Sequence, residues 1–436
     1  MVEPLGIISG ALPMPSATEE FRRSWRVVLV TMVGTCLGVT GLSWYSYGVF
    51  FHPLSREFGW SQSAISAWFT FAGVGQMVIA PFTGRLADRF GVRPVVLVSI
   101  PLFALALASV SLIGNSLWML YLAALAVGCV GPGTGVLTYS RAVNSWFDAG
   151  RGTALGLMAS GIGFATIFGP RLLQSIISAW GWRAAFLFLA VTALVALPMM
   201  FLFLNERRET GGRISPVPGT GYTLREARGG AVLWIMGMAC FLYGLCGGGW
   251  VHLVPFLSSN GMSPVEAATY AGMLGITSLL GRIVTGFIID RLHAPFVCAA
   301  VFLAEAVAFA ALGLFQMHYA LGAIAVIGFA LGSEINCIGY CIARYFGLKS
   351  YSEIFGLLVV TIGGLGGALG PVAFGFLRDV TDAYGTSYLT SAGFAVGAAA
   401  LFVVVGRQPF LPTVSSIENP SDSARTAEKT RSCPSP

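Results

Sequence analysis

Charge is what this sequence has least of. Of its 436 residues only 10% are Asp, Glu, Lys or Arg, while 56% are hydrophobic; ordinary soluble domains carry about 25% charged residues. A chain so poor in ions cannot cover a globule against water, and its mean hydropathy of +0.77 makes the lipid bilayer its expected solvent. Histidine is scarcer still. The four, His52, His252, His293 and His318, fall near the ends of apolar runs, and no catalytic constellation, nucleotide motif or metal-ligand spacing surrounds them. No enzyme activity, metal or cofactor is expected. Seven of the eight cysteines (Cys36, Cys129, Cys240, Cys246, Cys298, Cys337 and Cys341) lie inside apolar runs, where they read as small buried hydrophobes and not as a disulfide framework. The first 25 residues lack a compact apolar core followed by a cleavage site, so they read as a tail and not a secretory signal.

Long apolar segments, by contrast, recur from Val27 to Val405. A bilayer core about 30 Å thick needs roughly 20 helical residues per crossing, and twelve runs meet that length: 27–51, 63–83, 93–113, 117–141, 152–177, 183–204, 230–257, 265–288, 295–316, 319–343, 352–377 and 387–406. Transmembrane strands would be shorter and alternating, so the predicted fold class is an all-α membrane bundle. The 56 glycines fit it, since small residues let helices approach where lipid supplies no hydrophobic drive. The glycine-rich runs "GCVGPGTG" (128–135) and "IGGLGGALGP" (362–371) sit in apolar helices, which excludes a phosphate-cradling loop and favours pliable packing.

Basic residues orient the bundle. With both termini on one side, all of the 25 Lys and Arg except Arg56, Arg171, Arg183 and Arg378 fall on that side or its border, so both termini are expected in the cytoplasm. The net charge of +6 follows from that bias and requires no nucleic-acid partner.

The sequence also repeats. A shift of 202 positions aligns Pro53 with Pro255, Gly59 with Gly261, Ser61 with Ser263, Gly73 with Gly275, Thr83 with Thr285, Gly84 with Gly286, Asp88 with Asp290 and Arg89 with Arg291. Two six-helix halves of equal orientation follow, with residues 1–25 a cytoplasmic tail, 26–204 the first half, 205–229 a linker, 230–406 the second half and 407–436 a disordered tail rich in Ser, Pro and charge. Parallel halves related by an axis along the membrane normal characterise one large class of secondary transporter, whose substrate sits near the midplane between them.

Local motifs carry a family resemblance. "GRLADRFGVRP" (84–94) resembles the signature loop between the second and third helices of the major facilitator superfamily, and "GFIIDRLHAP" (286–295) is similar to its second-half copy. The resemblance spans nearly all of residues 25–406. Within the superfamily, "YGVFFHPLSREFGWS" (47–61) and the arginine of "GRIVTG" (281–286) resemble the monocarboxylate porters and their bacterial relatives, including oxalate and formate exchangers. Two positions depart from that pattern: "TGLSW" (40–44) stands where an acidic-Gly-Gly motif is expected, and Ser278 stands where many relatives place Asp or Asn.

The resemblance implies a secondary active transporter of a small organic anion, in particular a monocarboxylate, working by alternating access as a monomer in the plasma membrane, proton-coupled or exchanging one anion for another. Efflux of a larger amphipathic or neutral compound and a non-transporting sensor are the alternatives. It also implies a gate at the cytoplasmic mouth, formed by Asp88 and Arg89 with Arg141 and repeated as Asp290 and Arg291 with Arg344; the first acid and arginine are 53 residues apart and the second pair 54. The other reading of these six is as solvated interfacial charges.

Arg282 differs from them, for it lies about two turns inside the membrane border. Lipid exposure there would cost about 2.5–3.5 kcal/mol on insertion scales. A guanidinium offers a planar fork that matches a carboxylate, so substrate binding is one role; structural pairing and snorkelling to the interface are the others. Ser278, one turn away, could add a hydroxyl. Glu305 and Glu334 lie mid-span, and since a buried carboxyl favours its neutral form, both are proton-coupling candidates. Asn336 and Tyr340 follow Glu334 on one helix, and Tyr45 and Tyr47 of "WYSY" (44–47) offer hydroxyls on the first. Arg171, after "GP", reads as an external interfacial charge that could attract anions to an outer vestibule.

Overall fold

A computed structural model of the chain describes residues 17–44, 46–147, 151–204, 221–289, 291–347 and 349–408. Among these residues ten helices are long and apolar enough to cross a bilayer. Two of them, Thr153–Phe203 and Ala294–Phe346, are 51 and 53 residues long, about 77 and 80 Å at 1.5 Å per residue, more than twice a hydrocarbon core. Each is two crossings. In the first the chain turns at Gly181 (φ 83°, ψ 168°), a conformation that an L side chain resists and glycine adopts freely; in the second it turns at Gln316 (φ 47°).

The twelve crossings are therefore α1 (Thr18–Phe58), α2 (Gln62–Phe90), α3 (Val92–Val110), α4 (Leu117–Asn144), α5 (151–180), α6 (182–203), α7 (Ala231–Ser259), α8 (Pro264–Ile289), α9 (Ala294–Phe315), α10 (Ala320–Phe346), α11 (Glu353–Thr381) and α12 (Tyr384–Gly406). The first helix begins at Ala17, ten residues before the apolar run that marks its span, with Glu19 and Glu20 in its first turn. Acids there complement the helix dipole, and Phe21 anchors the extension against Phe147 at 4.9 Å.

An even number of crossings places both chain ends on one face, termed proximal; the other is distal. Four spans are interrupted. α1 passes through a π turn (Thr40–Trp44) and a 3-10 turn (Tyr47–Phe50), α4 through a 3-10 turn (Gly131–Thr134), α7 breaks near Cys246 and His252, and α11 holds a π segment (Gly356–Gly363). Irregular backbone within a membrane persists only where protein or water, and not lipid, surrounds it. The first glycine-rich run (128–135) thus contains the 3-10 turn of α4, while the second (362–371) begins at the end of the π segment of α11 and continues into regular helix. After the linker, a one-turn helix (Leu224–Arg228) carries a reciprocal Thr223/Glu226 cap, and the Tyr222 amide donates to the Phe346 carbonyl at 2.8 Å, tying the linker's end to the end of α10.

The buried apolar core is divided unevenly. A distal cluster runs through both halves, joining Leu54, Trp68 and Phe186 of the first to Phe256, Phe309 and Tyr388 of the second. Toward the proximal face there are two separate clusters. One belongs to the first half (Val27, Val96, Tyr139, Leu204), the other to the second (Leu233, Phe302, Ile342, Val405). The halves are thus joined distally and apart proximally.

Candidate functional site

Two helix pairs carry most of the contact between halves, α2 with α11 and α5 with α8, and α1 meets α7 distally. In the α5–α8 pair the backbones approach so closely that a Cβ on Gly275 would stand 2.7 Å from the Ile167 nitrogen, and one on Gly272 would stand 2.6 Å from the Ile167 oxygen. Glycine is what makes this crossing possible.

Arg282 lies on α8 just proximal of that crossing. It is seven residues before Ile289, about 10 Å inside the helix end. The lipid-exposed stripe of α8 is Ile276, Leu280, Ile283 and Phe287, and Arg282 lies about 130° around the helix from it at 100° per residue. The guanidinium is half-buried and reaches across to the other half, where Nη1 donates to the Ala159 carbonyl at 2.6 Å. It does not point into hydrocarbon.

α10 flanks it. The Asn336 side-chain amide donates to the Arg282 backbone carbonyl at 3.0 Å, and Asn336 is exposed while Glu334 and Tyr340 are half-buried. The Arg282 charge acts on the Glu334 carboxyl. Below them Thr285 and Ser333 hydroxyls pair at 2.6 Å, joining α8 to α10. The structure therefore brings Arg282, Glu334 and Asn336 together at the edge of the proximal gap.

Other sequence-derived positions fall elsewhere. Ser278 is buried where the α8 backbone crosses α10 at Gly332. Tyr47 is buried in a distal aromatic cluster, stacked on Trp68 at 4.7 Å, and among the described residues its hydroxyl has no partner. Glu305 is fully buried, and among the described residues neither of its oxygens is hydrogen-bonded. Tyr45 and Asp290 lie outside the described residues, as does the Asp88 side chain.

Among the gate positions, Arg141 donates to the Gly84 carbonyl at 2.7 Å, binding α4 to α2 within the first half. Arg89 lies over the Phe90 ring at 5.3 Å, and Arg291 is exposed. The repeat is not exact here. A Cβ on Gly84 would stand 3.6 Å from Arg141 Nη2, whereas one on Gly286, its counterpart, would meet open space, so the Arg344 guanidinium does not cover that helix face as Arg141 does. Arg171 is exposed on α5.

Several groups were not singled out by sequence. His252 is fully buried and its Nε2 lies 2.8 Å from Ser66 Oγ of the other half and 3.1 Å from the Pro371 carbonyl. The Asp379 carboxylate accepts from the Gln62 and Ser63 amides at 3.1 and 2.9 Å, capping α2 from α11, and Thr70 Oγ1 donates to the Ala368 carbonyl at 2.6 Å. Together these close the distal half of the α2–α11 contact. One sequence signal existed: the 202-residue shift sets His252 against Phe50, a polar group where the repeat has an apolar one.

Comparison with known proteins agrees with the architecture. The sequence profile described as Major Facilitator Superfamily matches residues 5–371. The chain is 27% identical to monocarboxylate transporter 13 of Rattus norvegicus over 397 residues, covering 87% of this chain and 88% of that one. It is 27% identical to monocarboxylate transporter 11 of Homo sapiens over 432 residues, covering 92% and 86%. Among solved structures, the D-xylose-proton symporter superposes with a TM-score of 0.69 at 15% identity, over 89% of this chain and 98% of that one.

Proposed function

The chain belongs to the Major Facilitator Superfamily and is a membrane transporter, not an enzyme; on that premise we propose that its cargo is a small organic anion, a monocarboxylate, carried by alternating access. The observation that carries this reading is the Arg282 guanidinium, held at the seam between halves on a neutral carbonyl. A carboxylate competes well for it, because charge-assisted bidentate pairs are roughly twice as strong as bonds to a neutral acceptor. Two relatives of similar length bear the name monocarboxylate transporter, which supports the same class.

The geometry suggests a sequence of events. The anion enters through the proximal gap, and Arg282 exchanges the Ala159 carbonyl for the carboxylate. That exchange breaks a bond between halves, so binding and rearrangement are linked through one side chain. Glu334, which feels the arginine's charge, supplies the counterion while the site is empty. Protonation of Glu334 releases Arg282 to the cargo, giving electroneutral movement of a proton with an anion. Glu305 is the second proton candidate. Asn336 and Tyr340 frame the site, while Arg89 and Arg141 with Arg291 and Arg344 belong to the proximal ends of their helices, where the sequence sets the gate. The basic-residue bias places that mouth in the cytoplasm, so the form described opens inward; the protein acts as a monomer in the plasma membrane.

The test is counterflow in proteoliposomes containing only this protein. Labelled lactate or pyruvate exchanges with the wild type and not with Arg282→Ala, although the variant remains monodisperse. Equal rates in both proteins overturn the role of Arg282. If short carboxylates neither exchange nor compete, while a larger amphipathic compound does, the efflux alternative replaces this reading.

A further inference from the structure

A cavity of about 570 Å³ lies at the distal face between the halves. That volume is ordinary for a small-molecule site. Its walls come from α1, from the α5–α6 turn and from the distal end of α7. Beneath it lies a void of only about 20 Å³ lined by Trp44 and Trp250, so the cavity is a vestibule above a seal and not a channel.

Its charge is unbalanced. Glu57, the one acid among the described lining residues, is committed on both oxygens: Oε1 accepts from Arg183 Nη1 at 2.7 Å and Oε2 from Trp182 Nε1 at 2.6 Å. Arg56, its neighbour in the lining, is exposed and forms no ion pair among the described residues. His52, one turn earlier on α1, is also exposed and adds ring nitrogens to the same wall. Across from them stand apolar groups of both halves, Ile177 and Val254 among them. A surplus cation facing an apolar wall suits one kind of solute, an anion with a hydrocarbon part. Arg171, expected from sequence to serve this face, is absent from the lining.

We propose that this vestibule is a second binding site for the carboxylate cargo, in which Arg56 and His52 hold the anionic group and the apolar wall holds its carbon chain before the seal opens. The proposal rests on the organic-anion reading above. Because the cavity draws on both halves, it exists in this form only while they are joined distally, and it collects solute on the side opposite the open gap.

Two measurements test it. In vesicles loaded from the distal face, Arg56→Gln raises the KM for labelled lactate about fivefold with kcat unchanged, removes most of the salt dependence of KM, and is rescued by Arg56→Lys; attraction by an exposed charge acts on capture and is screened by salt. An unchanged KM and salt dependence overturn the proposal while leaving Arg282 its role. The second measurement needs no transport. In Ser178→Cys, at an exposed position of the lining, the thiol reacts about fivefold faster with an anionic methanethiosulfonate than with a cationic one, lactate protects it, and Arg56→Gln abolishes both effects. Equal reactivity in the two backgrounds, or equal protection by chloride at the same concentration, overturns the site whatever the cargo proves to be.

Discussion

The two contacts between halves are built differently. At the distal end of α2–α11, polar groups bridge: Asp379 caps two α2 amides and Ser66 meets His252. At α5–α8 the bridge is bare backbone, glycine against Ile167, with one long cation at its proximal end. In a symmetric pair of repeats the two contacts would match. They do not because the intramembrane ionisable groups of the second half, Arg282, Glu305 and Glu334, align under the 202-residue shift with Ala80, Phe103 and Pro132 of the first. The first half offers carbonyls and packing. The second holds the charge, and the α5–α8 contact is where the two meet.

The largest effect is expected from crowding α5–α8. Gly275→Leu sets a side chain against backbone atoms that cannot yield, and overpacking of this kind costs about 1–3 kcal/mol; counterflow should fall to background while the purified protein still elutes as a single species. Gly73→Ala, at α2–α11, meets only the Ala368 methyl at 3.0 Å, and its rate should change less than twofold. Equal sensitivity of the two would abolish the contrast.

Arg282→Lys keeps the charge and loses the fork. At about 1.5–3 kcal/mol for a hydrogen bond to a charged group, kcat/KM for lactate counterflow should drop roughly 10- to 100-fold. Glu334→Gln should leave counterflow at equal pH intact yet remove accumulation driven by a proton gradient, which for a one-to-one symport approaches about tenfold per pH unit. A retained gradient response would shift the coupling role to Glu305.

Smaller effects belong to α2–α11. Asp379→Asn weakens a cap worth about 1 kcal/mol, so amide exchange at Gln62 and Ser63 should quicken about fivefold, with counterflow less affected than in any α8 variant. Smallest is Glu226→Gln in the linker. Hydrogen bonds from the Thr223 amide and hydroxyl hold the Glu226 carboxyl below its ordinary range, so its contribution is present above that range and fades as pH falls through it. The variant should transport normally and differ from wild type only in local exchange near Thr223, a difference that vanishes in acid.

Much of this is legible in the amino-acid sequence. The twelve spans, the repeat and the depth of Arg282 follow from run length, a constant offset and 1.5 Å per residue. What could not be read was rotation. In water an amphipathic stripe shows which face of a helix is inward, but here lipid and core both accept Leu, Val and Phe, so the pattern is nearly uniform around each helix. Ser278 therefore looked available to a solute although it is packed against Gly332, and Tyr47 looked like a cavity hydroxyl although it stacks on Trp68. Arg282 escaped the ambiguity because an ion cannot be turned toward hydrocarbon at low cost. His252 and Asp379 went unnoticed because each gains its meaning from a partner in the other half, more than a hundred residues away.

The apolar cluster shared by both halves distally also has a thermal consequence. Reaching the opposite form means separating Phe51 from the His252 ring 4.6 Å away, parting the cluster along the seam and wetting it. Near room temperature such association is driven mainly by water's entropy and weakens on cooling. Chilling should thus shift the empty carrier away from the form described, and a van 't Hoff plot of its two-state equilibrium should curve.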